Sequence, residues 1–145
     1  NVVLVMSPSL KNPCAPHPPL RGGQAAHRIL VVDDEADHRE TLAMLLELAG
    51  YNVDLAEDGR DALDRMRRSR PDAVLLDLMM PVMDGWQVCE QLAHDRSLAS
   101  VPVIILSGVA QFRAARRIAA AALMPKPVDF SALCAVLERA CAPAA

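Results

Sequence analysis

The chain has 145 residues, a formal net charge of −3, 52% apolar residues and only 3% aromatics. That is enough for one ordinary domain, with a core of Leu, Val, Ile, Ala and Met. An acidic balance without a basic stripe argues against direct nucleic-acid binding, and no apolar run approaches the ~18 residues that cross a bilayer.

Residues 1–26 carry Pro8, Pro13, Pro16, Pro18 and Pro19 with Gly22 and Gly23. Such a stretch holds neither a regular helix nor an interior strand, so it is expected to be a poorly ordered tail or linker. From Arg28 onward strands and helices alternate. Ile29–Val32 is a short β-branched run, the signature of a buried strand. Ala36–Ala49 carries Leu42, Leu45, Leu46 and Ala49 at helical spacing and is closed by Gly50. Asn52–Ala56 reads as a second strand. Gly59–Arg68 reads as a helix with Ala62, Leu63 and Met66 as its apolar stripe. Ala73–Leu76 is a third strand ending at Asp77. Asp84 is placed to cap a helix running to about His94. Val101–Leu106 is the fourth strand, Phe112–Ala120 a fourth helix rich in Ala and Arg, and Ala122–Met124 a brief fifth strand. Asp129, or Ser131 after it, caps a last helix ending near Cys141. One domain over 27–141 follows, with a short tail over 142–145.

Five strands alternating with five helices imply an α/β fold with a parallel sheet covered on both faces. Right-handed crossovers make it doubly wound, and the order 2-1-3-4-5 is one common solution. Ligands in such sheets gather beyond the carboxyl ends of the strands, so the residues that end strands carry the functional reading. Strand one ends in Asp33 and Asp34, strand three in Asp77, strand four in Ser107, and strand five just before Lys126. Three clustered carboxylates repel one another unless a cation intervenes. A hard divalent ion is the natural occupant, and magnesium fits best because it keeps waters for a phosphate; manganese is the alternative. Asp77 is the candidate nucleophile toward phosphorus. Ser107 can donate to one phosphoryl oxygen and Lys126 can pair with another.

The segments Ile29-Leu-Val-Val-Asp-Asp34, Asp77-Leu-Met-Met-Pro-Val-Met-Asp-Gly85, Val103-Ile-Ile-Leu-Ser107 and Lys126-Pro127 together resemble the receiver domain of two-component response regulators, in its flavodoxin-like, CheY-like form. The resemblance covers about residues 27–141. It implies that Asp34 ligates magnesium directly and Asp33 mainly through water, with one Asp77 oxygen and the Met79 backbone carbonyl completing the protein ligands. It implies that Asp77 accepts phosphate from a phosphohistidine of a bacterial sensor kinase or phosphotransfer protein, that Ser107 is the switch hydroxyl, and that the Lys126–Pro127 bond is cis. In similar domains the first helix, here with Met44 and Glu47 off its core stripe, docks the phosphodonor.

This sequence departs from the family pattern in three places. The aromatic switch position falls on Leu123. The Ser107-to-Lys126 interval is short by about one helical turn, so the fourth helix, with Arg113, Arg116 and Arg117, is trimmed. Met79 and Val109 flank the expected phosphate where similar domains often carry polar groups that orient water, which predicts slow decay of the acyl phosphate.

Other features read more simply. Cys14, Cys89, Cys134 and Cys141 form no CxxC pair, and with four scattered His they suggest reduced thiols and no zinc site. Trp86 is expected to pack near the site. With no signal peptide or membrane span recognised, the expected compartment is the cytoplasm. The chain is read as a monomer or weak dimer with an unidentified output partner, either a stand-alone receiver or a piece of a hybrid histidine kinase. Two other readings exist. An Asp-nucleophile hydrolase of haloacid-dehalogenase type wants a second Asp two residues after the first, and Met79 stands there. A degenerate receiver acting as a plain interaction module would lack key site residues, and none is missing.

Overall fold

The computed structural model describes residues 26–108 and 111–142. Cys14, Val109 and nearly all of the Pro-rich segment lie outside them. In chain order the elements are β1 (Arg28–Val32), α1 (Ala36–Leu48), β2 (Asn52–Ala56), α2 (Gly59–Arg68), β3 (Ala73–Asp77), α3 (Gly85–His94), β4 (Val103–Ser107), α4 (Phe112–Ala115), β5 (Ala122–Pro125) and α5 (Phe130–Cys141). The strands form one parallel sheet in the order β2-β1-β3-β4-β5, the expected doubly wound topology.

Alternation along each strand builds two apolar layers. Ile29 and Val31 of β1, Leu75 of β3 and Ile104 of β4 face Leu46 of α1 and Leu133 and Leu137 of α5. Leu30 and Val32, Val74 and Leu76, and Ile105 face the other way, onto Ala62, Leu63 and Met66 of α2, Val88 and Leu92 of α3, and Ala115 of α4. The central strands β3 and β4 are buried along their whole length, as a sheet covered on both faces requires. Burying each of these large aliphatic side chains contributes roughly 1.5–3 kcal/mol.

The helix caps follow the sequence. Asp84 and Gln87 form a reciprocal capping box at the start of α3, and Asp129 rather than Ser131 caps α5. Asp58 caps α2 through the Asp61 N–H.

Two elements differ from expectation. The strand β4 begins at Val103, not Val101, because the Val101 N–H is already bonded to the Leu98 carbonyl in a turn and Pro102 has no N–H to offer. The helix expected over Phe112–Ala120 stops at Ala115. Past that point the backbone tightens to three-residue spacing, Arg117 N–H to Ala114 and Ile118 N–H to Ala115, and Ala121 N–H then bonds the Val103 carbonyl. With so few residues left before β5, the chain leaves the helix early to reach the sheet edge.

Candidate functional site

Strand register decides which side chains meet. Val32 of β1 pairs with Leu76 of β3, so Asp33 and Asp77, one residue further on, sit side by side on the carboxyl rim. Asp77 pairs with Leu106, and Ser107 with Pro125, which leaves Lys126 as the next residue on the same rim. The structure thus gathers the residues that the strand-end argument selected.

Asp33, Asp34 and Asp77 each offer a carboxylate oxygen within 4.8 Å of the others. Asp33 and Asp77 are buried, at 6% and 7% exposure, and Asp34 is exposed. The Lys126 ammonium lies 3.0 Å from Asp77 Oδ2 and 3.9 Å from Asp33 Oδ2. Backbone N–H groups also serve the acids: Glu35 donates to Asp33 Oδ1 at 2.9 Å and Met79 to Asp77 Oδ1 at 3.2 Å. Burial pushes the Asp33 carboxyl above its ordinary value and the neighbouring Asp77 charge adds to this, while the Glu35 N–H and Lys126 oppose it. One ammonium among three acids leaves excess negative charge, and an all-carboxylate donor set suits a hard divalent cation. The residues present therefore fit a magnesium-type ion.

Ser107 is almost fully buried, and its hydroxyl donates to the Gly108 carbonyl at 3.1 Å. It stands at the rim without bonding Asp77. The Lys126 backbone N–H donates to the Ser107 carbonyl at 2.9 Å, tying β5 to β4 directly behind the site, and the Lys126–Pro127 bond is cis as expected. Met79 has a 58% exposed side chain. Its N–H reaches Asp77, and the carbonyl's assignment as a ligand rests on the resemblance.

The loop after Asp77 is tightly held. The Gly85 N–H donates to the Leu78 carbonyl at 3.0 Å, and a Cβ on Gly85 would stand 2.6 Å from the Asp77 carbonyl oxygen. Only glycine lets α3 approach the strand end so closely. Gly59, at the start of α2, is pressed as closely against Met83 and Val88. Between them Val82 adopts φ +67°, a conformation rare for a β-branched residue.

Leu123, at the aromatic position of similar domains, is half-buried against the α2/α3/α4 layer, as is Trp86. Arg113, Arg116 and Arg117 are exposed, with the Arg116 guanidinium 5.6 Å from the Phe112 ring centroid. Among the described residues Cys89, Cys134 and Cys141 form no disulfide. The sequence reading overlooked Arg39, whose Nη1 donates to the Asp33 carbonyl at 2.6 Å. The available signal was its place at the end of the first turn of the helix that follows the acids, but a lone Arg on a helix ordinarily reads as solvated.

Among the described residues no helix is long and apolar enough to cross a membrane. A family model for the response regulator receiver domain matches residues 29–138. The response regulator MprA of Mycolicibacterium vanbaalenii is 50% identical over 80 residues, 55% of this chain and 34% of its own length. The chain thus spans about a third of that curated relative. The signal receiver domain of a signal transduction histidine kinase from Syntrophus aciditrophicus superposes with a TM-score of 0.75 at 29% identity, covering 80% of this chain and 90% of that one. The receiver domain of a sensor histidine kinase from Pseudomonas aeruginosa PAO1, solved with a magnesium ion coordinated in its active-site cleft, does so with a TM-score of 0.73 at 28% identity, covering 79% and 97%. Together with the five-stranded topology and the acids on its rim, these matches establish that the chain belongs to the response regulator receiver domain family.

Proposed function

We propose that this domain takes a phosphoryl group onto Asp77 from a phosphohistidine of a sensor kinase or phosphotransfer protein, and that the phosphorylated form changes its contacts with an output partner. The observation that carries the reading is the Lys126 ammonium 3.0 Å from Asp77, beside two further acids. In the transfer an Asp77 oxygen forms the new bond to phosphorus, the phosphorus–nitrogen bond breaks, and the imidazole leaves with the electron pair and takes up a proton.

Asp33, Asp34, one Asp77 oxygen and the Met79 carbonyl would hold magnesium, or manganese in its place. A bound ion supplies neutralisation of the charge on the transferred group. The chain's own residues do the rest. Lys126 pairs with a phosphoryl oxygen as a point charge on a flexible stem. Ser107 exchanges its bond to Gly108 for one to the phosphoryl group by rotating its side chain. Gly85 and the capped start of α3 keep the strand end in place. Met79 and Val109 offer no group to orient a hydrolytic water, which favours a long-lived acyl phosphate. The exposed face of α1, with Met44, Glu47 and Leu48, suits the phosphodonor. The reading places the domain in the cytoplasm, as a monomer or weak dimer, and as a switch rather than an enzyme acting on a separate substrate.

Beryllofluoride with magnesium tests this directly. The wild-type chain should bind it and show a changed Trp86 fluorescence, and Asp77→Asn should abolish the response. A response that survives Asp77→Asn would overturn the assignment.

A further inference from the structure

Asp34 is the least constrained of the three acids. Its carboxylate is exposed and has no hydrogen-bond or ion-pair partner among the described residues. Its placement therefore follows from its backbone. The peptide group joining Asp33 to Asp34 is a rigid plane, with the Asp33 carbonyl at one end and the Asp34 N–H at the other. Asp33 itself is held at its N–H by the Ala56 carbonyl, at 3.2 Å. Its carbonyl is held by a side chain, the Arg39 Nη1, at 2.6 Å. Arg39 is half-buried, and its own N–H is rooted on the Glu35 carbonyl at 3.0 Å. A charge-assisted bond of this length is among the stronger side-chain contacts to the main chain.

We propose that Arg39 is a positioning residue for the divalent-cation site: by gripping the Asp33 carbonyl it fixes the peptide plane that carries Asp34, and so sets how tightly the acids hold a cation. This rests on reading Asp33, Asp34 and Asp77 as that site. A simpler view treats Arg39 only as a positive charge beside the acids. Such a charge repels a cation, so its removal would tighten binding. Positioning requires the opposite sign, because groups that orient metal ligands typically contribute 10–100-fold in affinity.

The test is calorimetric titration of the full chain with magnesium chloride alone, together with the melting temperature of each variant. Arg39→Met keeps the aliphatic stem without the donor, and Arg39→Lys keeps a cationic donor. The expected result is a loss of about 10-fold or more in magnesium affinity for Arg39→Met, partly recovered in Arg39→Lys, with both variants folded. Saturating magnesium should restore beryllofluoride binding to Arg39→Met, since the acids themselves remain. Unchanged or tighter magnesium binding in Arg39→Met overturns the proposal, as does an equal loss in Arg39→Lys. A wild-type chain that binds no magnesium would instead overturn the reading of the site on which this rests.

Discussion

Replacing Val82 with Asn should stabilise this domain, although the change removes an apolar side chain. Val82 sits at φ +67°, where an L-residue is disfavoured by roughly 1–2 kcal/mol. Its neighbours impose this conformation. The Met83 N–H reaches back across Val82 to the Pro81 carbonyl at 2.7 Å, and the Met83 carbonyl accepts the Gly59 N–H at 3.1 Å. The side chain is 75% exposed, so its loss forfeits less than ~1 kcal/mol of the ~1.5–3 kcal/mol that full burial would contribute. Asn enters the left-handed region with a smaller penalty. It also avoids the ~0.5–1 kcal/mol that glycine loses through greater freedom in the unfolded chain. The expected order is Asn about 1 kcal/mol above wild type, Gly close to wild type, and Ile no better than Val. In urea unfolding this reads as a higher midpoint at constant slope, and in a thermal melt as a rise of about 4 °C. A lower midpoint for Val82→Asn than for wild type would refute the claim of strain.

Gly85→Ala should lower stability by about 1–3 kcal/mol and weaken beryllofluoride binding, because the new methyl group meets the Asp77 carbonyl and the Leu78 Cα, neither of which is a flexible side-chain end; an unperturbed midpoint in urea would contradict this. Burial pushes Tyr51 up to about 12 and Cys89 and Cys141 up to about 11. The native state then keeps protons that the unfolded chain has released, so stability is whole below about pH 9 and falls as pH rises toward 12. Urea midpoints across that range should decline, less steeply in Tyr51→Phe, and a flat profile would count against it. Met79→Asn should shorten the lifetime of the acyl phosphate, followed by loss of radiolabel, by giving the hydrolytic water a polar neighbour; an equal or longer lifetime would remove Met79 from that role.

The strand ends were legible because topology turns them into a site. In a doubly wound sheet every β-to-α junction on the active rim faces the same crevice, so Asp33, Asp77, Ser107 and Lys126 could be grouped before any distance was known. The stripe Ala62, Leu63 and Met66 was equally readable, since all three lie on one face of α2 and all are buried. What escaped were features set by competition between neighbours. The short Ser107-to-Lys126 interval announced a trimmed fourth helix but not how far: Ala and Arg favour helix beyond Ala115, yet the chain must reach Val103 within a few residues, and that geometric demand wins. The left-handed Val82 contradicts its residue type, and only the bonds around it explain it. Arg39 illustrates a third kind of gap. Its function lies in a bond to a main-chain carbonyl, an acceptor that every residue possesses and that no motif marks.

Lys126 carries a further consequence for what edits the chain tolerates. Its amide is pinned to the end of β4 while its ammonium reaches back to Asp77, so the segment from Gly108 to Pro125 is fastened at both ends to the same rim. Lengthening the part ahead of β5 costs only a modest entropy increment, whereas a residue deleted from within β5 would shift its register on β4 and take the amide off Ser107 and the ammonium off Asp77 in a single motion.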